Sequence, residues 1–507
     1  GNLLFSKGIY SEAEAKYVEA KTRVKHIYGK DHQMHASILF CLGMNYNQMG
    51  DYSRAEAAYL EVQTIYTNLE ITNHINYGKL LTNLANLYSN MGDMEKAEML
   101  YIESYKFAES KFGRNSVNIA KDLNNLAIFY HDLGNFERSE ILQKEALTIR
   151  KDKLGINNLE YARSLNNLGY LFDDMGRYQE AKVLLEEALV IREKFHGKSH
   201  PHYATTLDNL GVVLNHLGEL VKAENYIYDA MLIRKNSLGK EHPYFLRSLY
   251  CLGLVNLKMG NLVKAKLYFS EAEENMVKVL GKKHEYYVNC VNDLATIAEM
   301  ESNYKETERR FDEIFNVSLE YINGASSFLS EFELLKFIGK FESNGHKMFS
   351  ILNQRIQRNN VEKNYLLELA YNYCLVYKGF LMNYSSKLNN LKNYSSHTFR
   401  IDQELKVQQR KLTVEFSKPL SQRNQVDEIQ FQCNQLKDEM AVAVSGYADA
   451  TRIITWKQVQ EKLKPDEIAI EFINFPILYP NTIDSNLYVA MVVRPDGRLP
   501  QMIPLFY

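Results

Sequence analysis

The hydrophobic residues of this chain recur in short stripes that have the spacing of an α-helix. One stripe contains Leu81, Leu84, Ala85 and Tyr88, and similar residues return 42 positions later at Leu123, Leu126, Ala127 and Tyr130. Offsets of three and four residues place each stripe on one face of a helix. A glycine-containing segment and a second helical pattern follow each stripe. The sequence therefore predicts a series of helical hairpins.

The strict period of the pattern predicts how these hairpins assemble. The turn residue recurs every 42 positions without insertion or deletion, at Gly8, Gly50, Gly92, Gly134, Gly176, Gly218, Gly260 and Ser302. A small residue in the first helix lets the second helix approach closely, at Gly43, Ala85, Ala127, Gly169, Gly211, Gly253 and Ala295. An isolated hairpin cannot bury its own apolar face, so neighbouring hairpins must stack into a solenoid. Gly1 has the register position of Gly43, and we expect the sequence to begin inside a repeat.

This pattern resembles the tetratricopeptide-repeat (TPR) family, and in particular the 42-residue variety found in kinesin light chains and many bacterial TPR proteins. The resemblance covers residues 1 to about 322 and includes connectors such as 196–201 and 238–243. It implies a right-handed superhelical solenoid whose first helices line a concave groove. We expect the connector residue that precedes each first helix to cap it, at His32, His74, Ser116, Asn158, His200, His242 and His284. These histidines are not expected to bind a metal, because successive repeats hold them too far apart.

The resemblance also indicates which residues would face a ligand. The sixth position of the unit points into the groove, and here it is occupied by Cys41, Asn83, Asn125, Asn167, Asn209, Cys251 and Asp293. A carboxamide both donates and accepts hydrogen bonds, so four successive asparagines could hold the backbone of an extended peptide. One helical turn earlier the chain has Lys79, Lys121, Arg163, Thr205 and Arg247. TPR domains that bind acidic segments or C-terminal carboxylates use such a row, so we predict a binding site formed by Asn83, Asn125, Asn167, Asn209, Lys79, Lys121, Arg163 and Arg247.

Two questions about these polar residues stay open at the level of sequence. The asparagines could instead belong to the repeat itself and fix neighbouring helices to each other. Asp132, Asp173 and Asp174 are expected nearer the other edge of the groove. There they would either select basic residues of a ligand or simply face solvent.

Beyond residue 322 the period ends, and a different organisation is predicted. Helices are expected at about 347–357, 361–393, 398–416, 422–444 and 455–463. Strand-like runs follow at 467–472, 487–493 and about 499–505, with a turn at Pro495–Gly497. We therefore divide the chain into a TPR solenoid (1–322), a helical connector (323–450) and the N-terminal part of an α/β domain (451–507). The predicted fold class is mostly α, with the first strands of an α/β domain at the end.

The C-terminal third resembles the entry to a CHAT domain, a caspase-like module whose name records its association with TPRs. The resembling segments keep their order and spacing behind the repeats, at 329–331, 377–381, 456–459 with 468–472, and 488–490. In that family a catalytic His, usually followed by Gly, and a Cys nucleophile lie on later strands, and neither motif is matched here. The resemblance thus assigns no catalytic residue. It implies that this chain is inactive by itself and belongs to a caspase-like cysteine peptidase.

Composition excludes several other functions. A net charge of −2 over 507 residues creates no field that would attract nucleic acid or an anionic membrane, so neither is expected as a direct partner. No apolar run is long enough to span a bilayer and no signal-peptide pattern is present, which makes the cytoplasm the expected location. No nucleotide-binding or metalloprotease motif occurs, so no cofactor or metal is expected. The five cysteines are scattered, as free thiols of a reducing compartment would be, at Cys41, Cys251, Cys290, Cys374 and Cys433.

These observations favour one function and leave two others open. We expect the chain to be the regulatory and partner- or substrate-binding portion of a bacterial TPR–CHAT protein. Its groove would hold a protein or extended peptide, for which an acidic segment is one candidate. The rival is a non-enzymatic TPR adapter whose α/β end closes the solenoid or mediates assembly. A third is a sensor arm that responds to a nucleic-acid-bound complex through a protein intermediary. The sequence makes no prediction of oligomeric state.

Overall fold

The computed structural model divides the chain into two compact units. Unit 1 ends at Tyr268 and unit 2 begins at Phe269. No helix in the described part of the chain is long and apolar enough to cross a membrane. The described residues are 1–6, 10–49, 51–91, 93–279, 281–282, 284–325, 345–358, 364–376, 397–398, 400–401, 403–405, 407–408, 411, 426–443, 454–478 and 483–506.

Unit 1 is built from antiparallel helical hairpins, as the period predicts. We call the first helix of each hairpin helix A and the second helix B. From α3 onward the A helices begin every 42 residues, which confirms the predicted register. The helices are α1 (Asn2–Ser6), α2 (Tyr10–Tyr28), α3 (Gln33–Gln48), α4 (Tyr52–Asn68), α5 (Ile75–Met91), α6 (Met94–Phe112), α7 (Val117–Asp132), α8 (Phe136–Leu154), α9 (Leu159–Asp174), α10 (Tyr178–His196), α11 (Pro201–His216), α12 (Leu220–Leu238), α13 (Pro243–Lys258) and α14 (Leu262–Val279), in which the boundary between the units falls.

Each A helix from α3 to α15 begins at the capping residue that the sequence predicts. An Nδ1, Oγ or Oδ1 atom of the cap accepts a hydrogen bond from a backbone N–H in the first turn of the helix, at donor–acceptor distances from 2.8 to 3.4 Å. These bonds satisfy N–H groups that have no partner within the helix. The prediction is confirmed for His32, His74, Ser116, Asn158, His200, His242 and His284.

The small residue of each A helix lies where the B helix comes closest. A Cβ atom added at Gly211 would lie 2.5 Å from Cγ1 of Ile227, and one at Gly169 would lie 2.8 Å from Cγ of Leu185. The stripes around these glycines are buried, including Leu165, Leu168 and Phe172. Close packing of A against B is therefore what the small residue provides.

Unit 2 begins with the last repeat and continues with helices that the period does not contain. Its helices are the end of α14, α15 (Glu285–Met300), α16 (Tyr304–Ala325), α17 (345–357), α18 (364–376), α19 (Val426–Ala443) and α20 (Trp456–Lys462). The predicted helix at 347–357 corresponds to α17, that at 422–444 to α19 and that at 455–463 to α20. The predicted helix at 361–393 is represented by α18, and its remainder lies outside the described residues. Helical residues are also described between 397 and 411, whereas the rest of the predicted helix at 398–416 is not described.

Helices α17 and α18 pack on the last repeat as an additional hairpin. Arg355 of α17 is buried and donates to both carboxylate oxygens of Glu299 on α15, at 3.0 and 2.6 Å. Lys347, also on α17, forms an ion pair with Asp293 of α15. On α18, the Tyr365 hydroxyl donates to Asp312 of α16 at 2.8 Å. Sequence periodicity did not reveal this packing, because the hairpin does not keep the 42-residue spacing.

Three strands form an antiparallel sheet in the order β1–β2–β3, which confirms the predicted strands. They are β1 (Ala469–Ile477), β2 (Ile483–Val493) and β3 (Gln501–Phe506). One face of the sheet packs on α17 and α18, where the rings of Phe475 and Phe349 stack with centroids 5.4 Å apart. Trp456 of α20 donates its indole N–H to Glu368 and its backbone N–H to Asn372, both on α18.

Candidate protein-binding face

The A helices of unit 1 carry the predicted ligand-facing residues on one surface, which we call the A-helix face. It consists of the asparagine row Asn83, Asn125, Asn167 and Asn209 and the basic row Lys79, Lys121, Arg163 and Arg247. Helices α9, α11 and α13 contact one another in succession. Amide groups also join successive A helices, since Nδ2 of Asn167 on α9 donates to Oδ1 of Asn124 on α7 at 2.8 Å, 43 residues earlier. Polar contacts between repeats are therefore built into this face.

The four asparagines differ in their surroundings. Nδ2 of Asn83 donates to the carbonyl oxygen of Lys79 in its own helix at 2.8 Å. Asn209 is almost fully buried, and its Oδ1 accepts two bonds from Arg247 at 3.4 Å. Asn125 is half-buried and makes no hydrogen bond with the described residues. The row thus changes from a helix-linking role at α9 and α11 to an accessible amide on α7.

The basic row shows the same gradient. Lys79 and Lys121 are exposed and form no ion pair within the described part of the chain. Arg163 is also exposed but donates to Glu160 in its own helix. Arg247 is half-buried, and its Nη1 lies 2.6 Å from Oδ2 of Asp208. The positive charges of this face that have no ion pair among the described residues are therefore those of α5 and α7.

Three buried arginines, which sequence reasoning missed, lie behind the face. Arg150, Arg192 and Arg234 are on the B helices α8, α10 and α12, spaced by 42 residues. Each donates to a hydroxyl group 14 residues later, on Ser164, Thr206 and Ser248 respectively. Burial lowers the pKa of Arg150 and of Arg192 to about 10, so both stay charged at neutral pH. Their recurrence in the 42-residue register was the signal that could have revealed them.

The last of these arginines belongs to a buried charge cluster. Nη1 of Arg234 lies 3.0 Å from Oδ2 of Asp208, and neither side chain is exposed by more than 1%. The same carboxylate binds Arg247 and accepts a hydrogen bond from Oγ of Ser248 at 3.1 Å. Asp208 therefore connects helix α12 with the A helices α11 and α13.

One repeat before Arg150, the first of the three arginines, the arrangement is different. Ala108 has the register position of Arg150, and Asp122 has that of Ser164. Among the described residues no arginine lies beside Asp122, and burial raises the pKa of this carboxyl group to about 6. A hydrogen bond from Ser104 and the positive charge of Lys121 lower the pKa, but they are smaller effects than burial. This half-buried carboxyl group lies beside Lys121, on the helix that has the accessible amide of Asn125.

The predicted acidic edge is paired with histidines of neighbouring repeats. Nε2 of His131 lies 2.8 Å from Oδ2 of Asp174, and its Nδ1 lies 3.5 Å from Oδ1 of Asp132. His216 forms the equivalent contact with Asp173 at 2.8 Å. All three aspartates thus contact a histidine, an arrangement that neither of the sequence alternatives included.

His131 makes a pH-dependent contribution to stability. Hydrogen bonds to Asp132 and Asp174 raise its pKa from 6.5 to about 9. The folded state therefore holds the proton more tightly than the unfolded state, so the stabilisation is complete below pH 6.5 and is lost as the pH rises to 9. We expect the stability difference between the wild type and His131→Gln to shrink by about 1–2 kcal/mol over that window, after allowance for partial solvent exposure.

Urea unfolding at a series of pH values measures this difference. Asp174→Asn, which leaves the imidazole in place, should flatten the same part of the profile. A wild-type and His131→Gln pair whose stability difference does not vary between these pH values would contradict the assignment.

The cysteines show no sign of an activated nucleophile. Burial raises the pKa of Cys251 to about 12 and also raises that of Cys290. Cys374 and Cys433 are buried within α18 and α19. Among the described residues no group of three His, Cys, Asp or Glu side chains is arranged to hold a metal ion.

Comparison with known proteins adds two family models, both of tetratricopeptide repeats. One matches residues 36–68, and the other matches overlapping segments that together run from 76 to 276. No curated protein matches the chain.

Similar solved structures include BtubC (BKLC) from P. vanneervenii, which is 28% identical to this chain. The match covers 46% of this chain and 92% of that chain, with a TM-score of 0.38. A second similar structure is that of nearly identical TPR-like repeats of a kinesin light chain from Podosopora anserina. It is 20% identical, the match covers 39% of this chain and 95% of that chain, and the TM-score is 0.35. The apo form of RapI is 19% identical, the match covers 56% of this chain and 97% of that chain, and the TM-score is 0.43.

The family models match a part of the chain that the structure builds from helical hairpins. Arrays of this family are protein-interaction scaffolds. Residues 36–68 and 76–276 are therefore tetratricopeptide repeats, and this part of the chain is a protein-interaction scaffold.

Proposed function

We propose that the A-helix face binds an acidic polypeptide segment, with its centre on α5 and α7. The observation that carries this proposal is the exposure of Lys79 and Lys121 without an ion pair among the described residues. Asn125, four residues after Lys121 and so one helical turn away, offers an amide that can bond a peptide backbone. Lysine ammonium and asparagine amide together suit an acidic side chain and the adjoining main chain.

The rest of the predicted row has a supporting role in this proposal. Arg163 is bonded to Glu160, and Arg247 is bonded to Asp208 and Asn209. Asn167 and Asn209 donate to asparagines of the preceding repeat. A ligand would have to displace these contacts before it could bond to the four side chains. In this proposal the four side chains therefore contribute to the shape of the site, whereas residues of α5 and α7 contribute most of the affinity.

Binding of labelled twelve-residue peptides to the whole chain tests the proposal. We expect a glutamate-rich peptide to bind more tightly than a lysine-rich or a serine-rich one, because only its charges complement the lysines. Lys121→Ala and Asn125→Ala should each weaken that binding about 10-fold, the usual effect of losing a bond to a charged group or backbone. Fluorescence anisotropy measures the dissociation constants.

A matched control uses Lys153, an exposed lysine at the end of helix α8 and outside the basic row. Lys153→Ala should leave binding unchanged. Equal affinity for the three peptides, or equal losses in Lys121→Ala and Lys153→Ala, would refute the assignment of the face.

We further propose that the repeats form the regulatory part of a CHAT-family caspase-like cysteine protease, with the division at 322 and 450 described above. The supporting observation is the double contact of α17. Lys347 binds Asp293 of the last repeat, and Phe349, two residues later, stacks on Phe475 of the sheet. Ser350 also accepts a hydrogen bond from the backbone N–H of Leu478 at 3.0 Å. A movement of α15 would thus be transmitted to β1 through one short helix.

The natural gene on both sides of this segment distinguishes the protease from the adapter. A downstream strand that ends in His-Gly, followed by one that ends in Cys, would support the protease. Peptidase assays of the longer protein with a Cys→Ala control would then measure activity. A reading frame without these motifs would leave a TPR adapter, in which the sheet has an assembly role.

A further inference from the structure

Three histidine side chains meet where helix α10 is joined to helix α11. The rings of His196, at the end of α10, and His200, in the connector, are stacked with their centroids 4.0 Å apart and their planes at 10°. The ring of His202, in the first turn of α11, lies 5.1 Å from that of His200 and 5.7 Å from that of His196. We call these three residues the histidine cluster. Imidazole is the side chain whose charge ordinarily changes between pH 5 and 8, so the cluster combines three such groups in one connector.

His200 is also the N-cap of helix α11. Its Nδ1 accepts a hydrogen bond from the backbone N–H of His202 at 3.0 Å. A ring nitrogen can accept only in neutral imidazole, because both nitrogens of imidazolium carry protons. A proton on His200 would therefore break the cap, and it would also place a positive charge at the positive end of the helix dipole.

The surroundings of the other two rings favour their neutral form. Arg192 of α10 is buried, and its Nη1 donates to the carbonyl oxygen of His202 at 2.7 Å. Burial is the largest of the causes that lower the pKa of His196 and of His202, and the charge of Arg192 and the neighbouring imidazoles lower it further. Arg163 of α9 acts on His202 in the same direction.

The other charged groups around the connector have partners of their own. The carboxylate of Glu193 on α10 lies 3.3 Å from Nζ of Lys198 in the connector. Arg163 donates to Glu160 of its own helix. Tyr203 of α11 is buried, and the groups that act on it are Glu193, Lys198 and, from α12, Asp229 and Tyr226. The charges with the largest effect on the cluster are therefore positive.

Neighbouring repeats do not contain three histidines at these positions. The preceding repeat has Leu154, Asn158 and Glu160 there, and the following repeat has Leu238, His242 and Tyr244. In the following repeat Cζ of Arg234, which has the register position of Arg192, lies 5.4 Å from the ring centroid of Tyr244. An uncharged ring packs well beside a guanidinium, whereas an imidazolium in its place would be repelled.

We propose that the histidine cluster is an acid-sensitive hinge, which opens the connection between α10 and α11 when its rings take up protons. The packed connector excludes protons that the opened connector binds. Its stabilisation is therefore complete above pH 6.5, the ordinary pKa of histidine, and is lost as the pH falls below that value. The hinge does not depend on the peptide-binding proposal.

Hydrogen exchange of the whole chain at pH 7 and pH 5 tests the hinge. Protection factors correct for the effect of pH on the intrinsic exchange rate. We expect the protection of residues 190–206 to fall about 10-fold or more between the two pH values, because opening allows the histidines to be protonated. Residues 148–164 form the equivalent connector one repeat earlier and contain no histidine. They provide an internal control, and their protection should change much less.

A triple variant removes the titrating rings and inserts residues that neighbouring repeats have at these positions. In His196→Leu, His200→Asn, His202→Tyr the protection of 190–206 should vary with pH no more than that of 148–164. His200→Asn alone should reduce the pH dependence in part, because a carboxamide keeps the cap, as that of Asn158 does at 2.8 Å. His26→Asn changes an exposed histidine of α2 and should leave the fall unchanged.

Two results would overturn the hinge. One is an equal fall of protection in the two segments of the wild type, which needs no variant. The other is an undiminished fall at 190–206 in the folded triple variant, or in His200→Asn if the triple variant does not fold.

Discussion

Replacing Asp208 with alanine is expected to lower the free energy of unfolding by about 3–5 kcal/mol. The carboxylate is fully buried and lies 3.0 Å from Nη1 of Arg234 and 2.6 Å from Nη1 of Arg247. Its removal would leave Arg234, which is 1% exposed, without a counter-charge in a site that water does not reach. Urea unfolding followed by circular dichroism measures the loss. Hydrogen exchange should locate it in α11, α12 and α13, because each repeat contacts only its neighbours.

Two further variants separate the charge from the loss of packing. Asp208→Asn should cost less than Asp208→Ala, since Asn124 and Asn166 occupy the same position in the two preceding repeats. The double variant Asp208→Ala, Arg234→Met should also be more stable than Asp208→Ala alone. Methionine occurs naturally in place of the arginine one repeat later, at Met276. A double variant as unstable as the sum of its single changes would show that the two side chains do not depend on each other.

Replacing Gly211 with valine is expected to lower the free energy of unfolding by about 3 kcal/mol. Even a Cβ atom at this position would lie 2.5 Å from Cγ1 of Ile227 and 3.3 Å from the carbonyl oxygen of Ala223. The side chain of Ile227 can rotate, but the backbone of α12 cannot move away without losing contacts with α11. Valine adds two methyl groups to this contact, and its branched Cβ has few alternative rotamers. The midpoint of urea unfolding gives the effect.

Matched variants distinguish crowding from the helical preference of valine. Ala57→Val introduces the same side chain at an exposed position of α4 and should cost only about 0.5 kcal/mol. Ile227→Ala alone creates a cavity, but combined with Gly211→Val it should restore part of the lost stability because it makes room for the new side chain. If Gly211→Val cost no more than Ala57→Val, the close approach of α11 and α12 would not limit the residue at this site.

Several features of the fold followed from local patterns. The 42-residue register, the capping residues from His32 to His284 and the small residues of the A helices all describe interactions within one hairpin or between adjacent ones. Such interactions repeat with the sequence, so the period predicts them. The three strands were recognisable for a similar reason, because alternation and the turn at Pro495–Gly497 are local.

The candidate site was predicted less completely. The register located the A-helix face, but it treated four asparagines and four basic residues as equivalent. The structure separates them by their neighbours, since Asp208 binds Arg247 whereas Lys121 has no ion pair among the described residues. That difference depends on side chains from other helices, which a single repeat does not reveal.

The sequence by itself determined the number and spacing of the hairpins, their caps and the strands, because each depends on residues a few positions apart or one repeat apart. Only the tertiary structure decided which charges are paired within the chain, how α17 and α18 pack on the last repeat, and which face of the sheet packs on these helices. These properties depend on contacts between residues at irregular separations, such as Arg355 with Glu299 or Phe349 with Phe475. The energy of such contacts depends on burial and distance, which exist only once the helices and strands have packed.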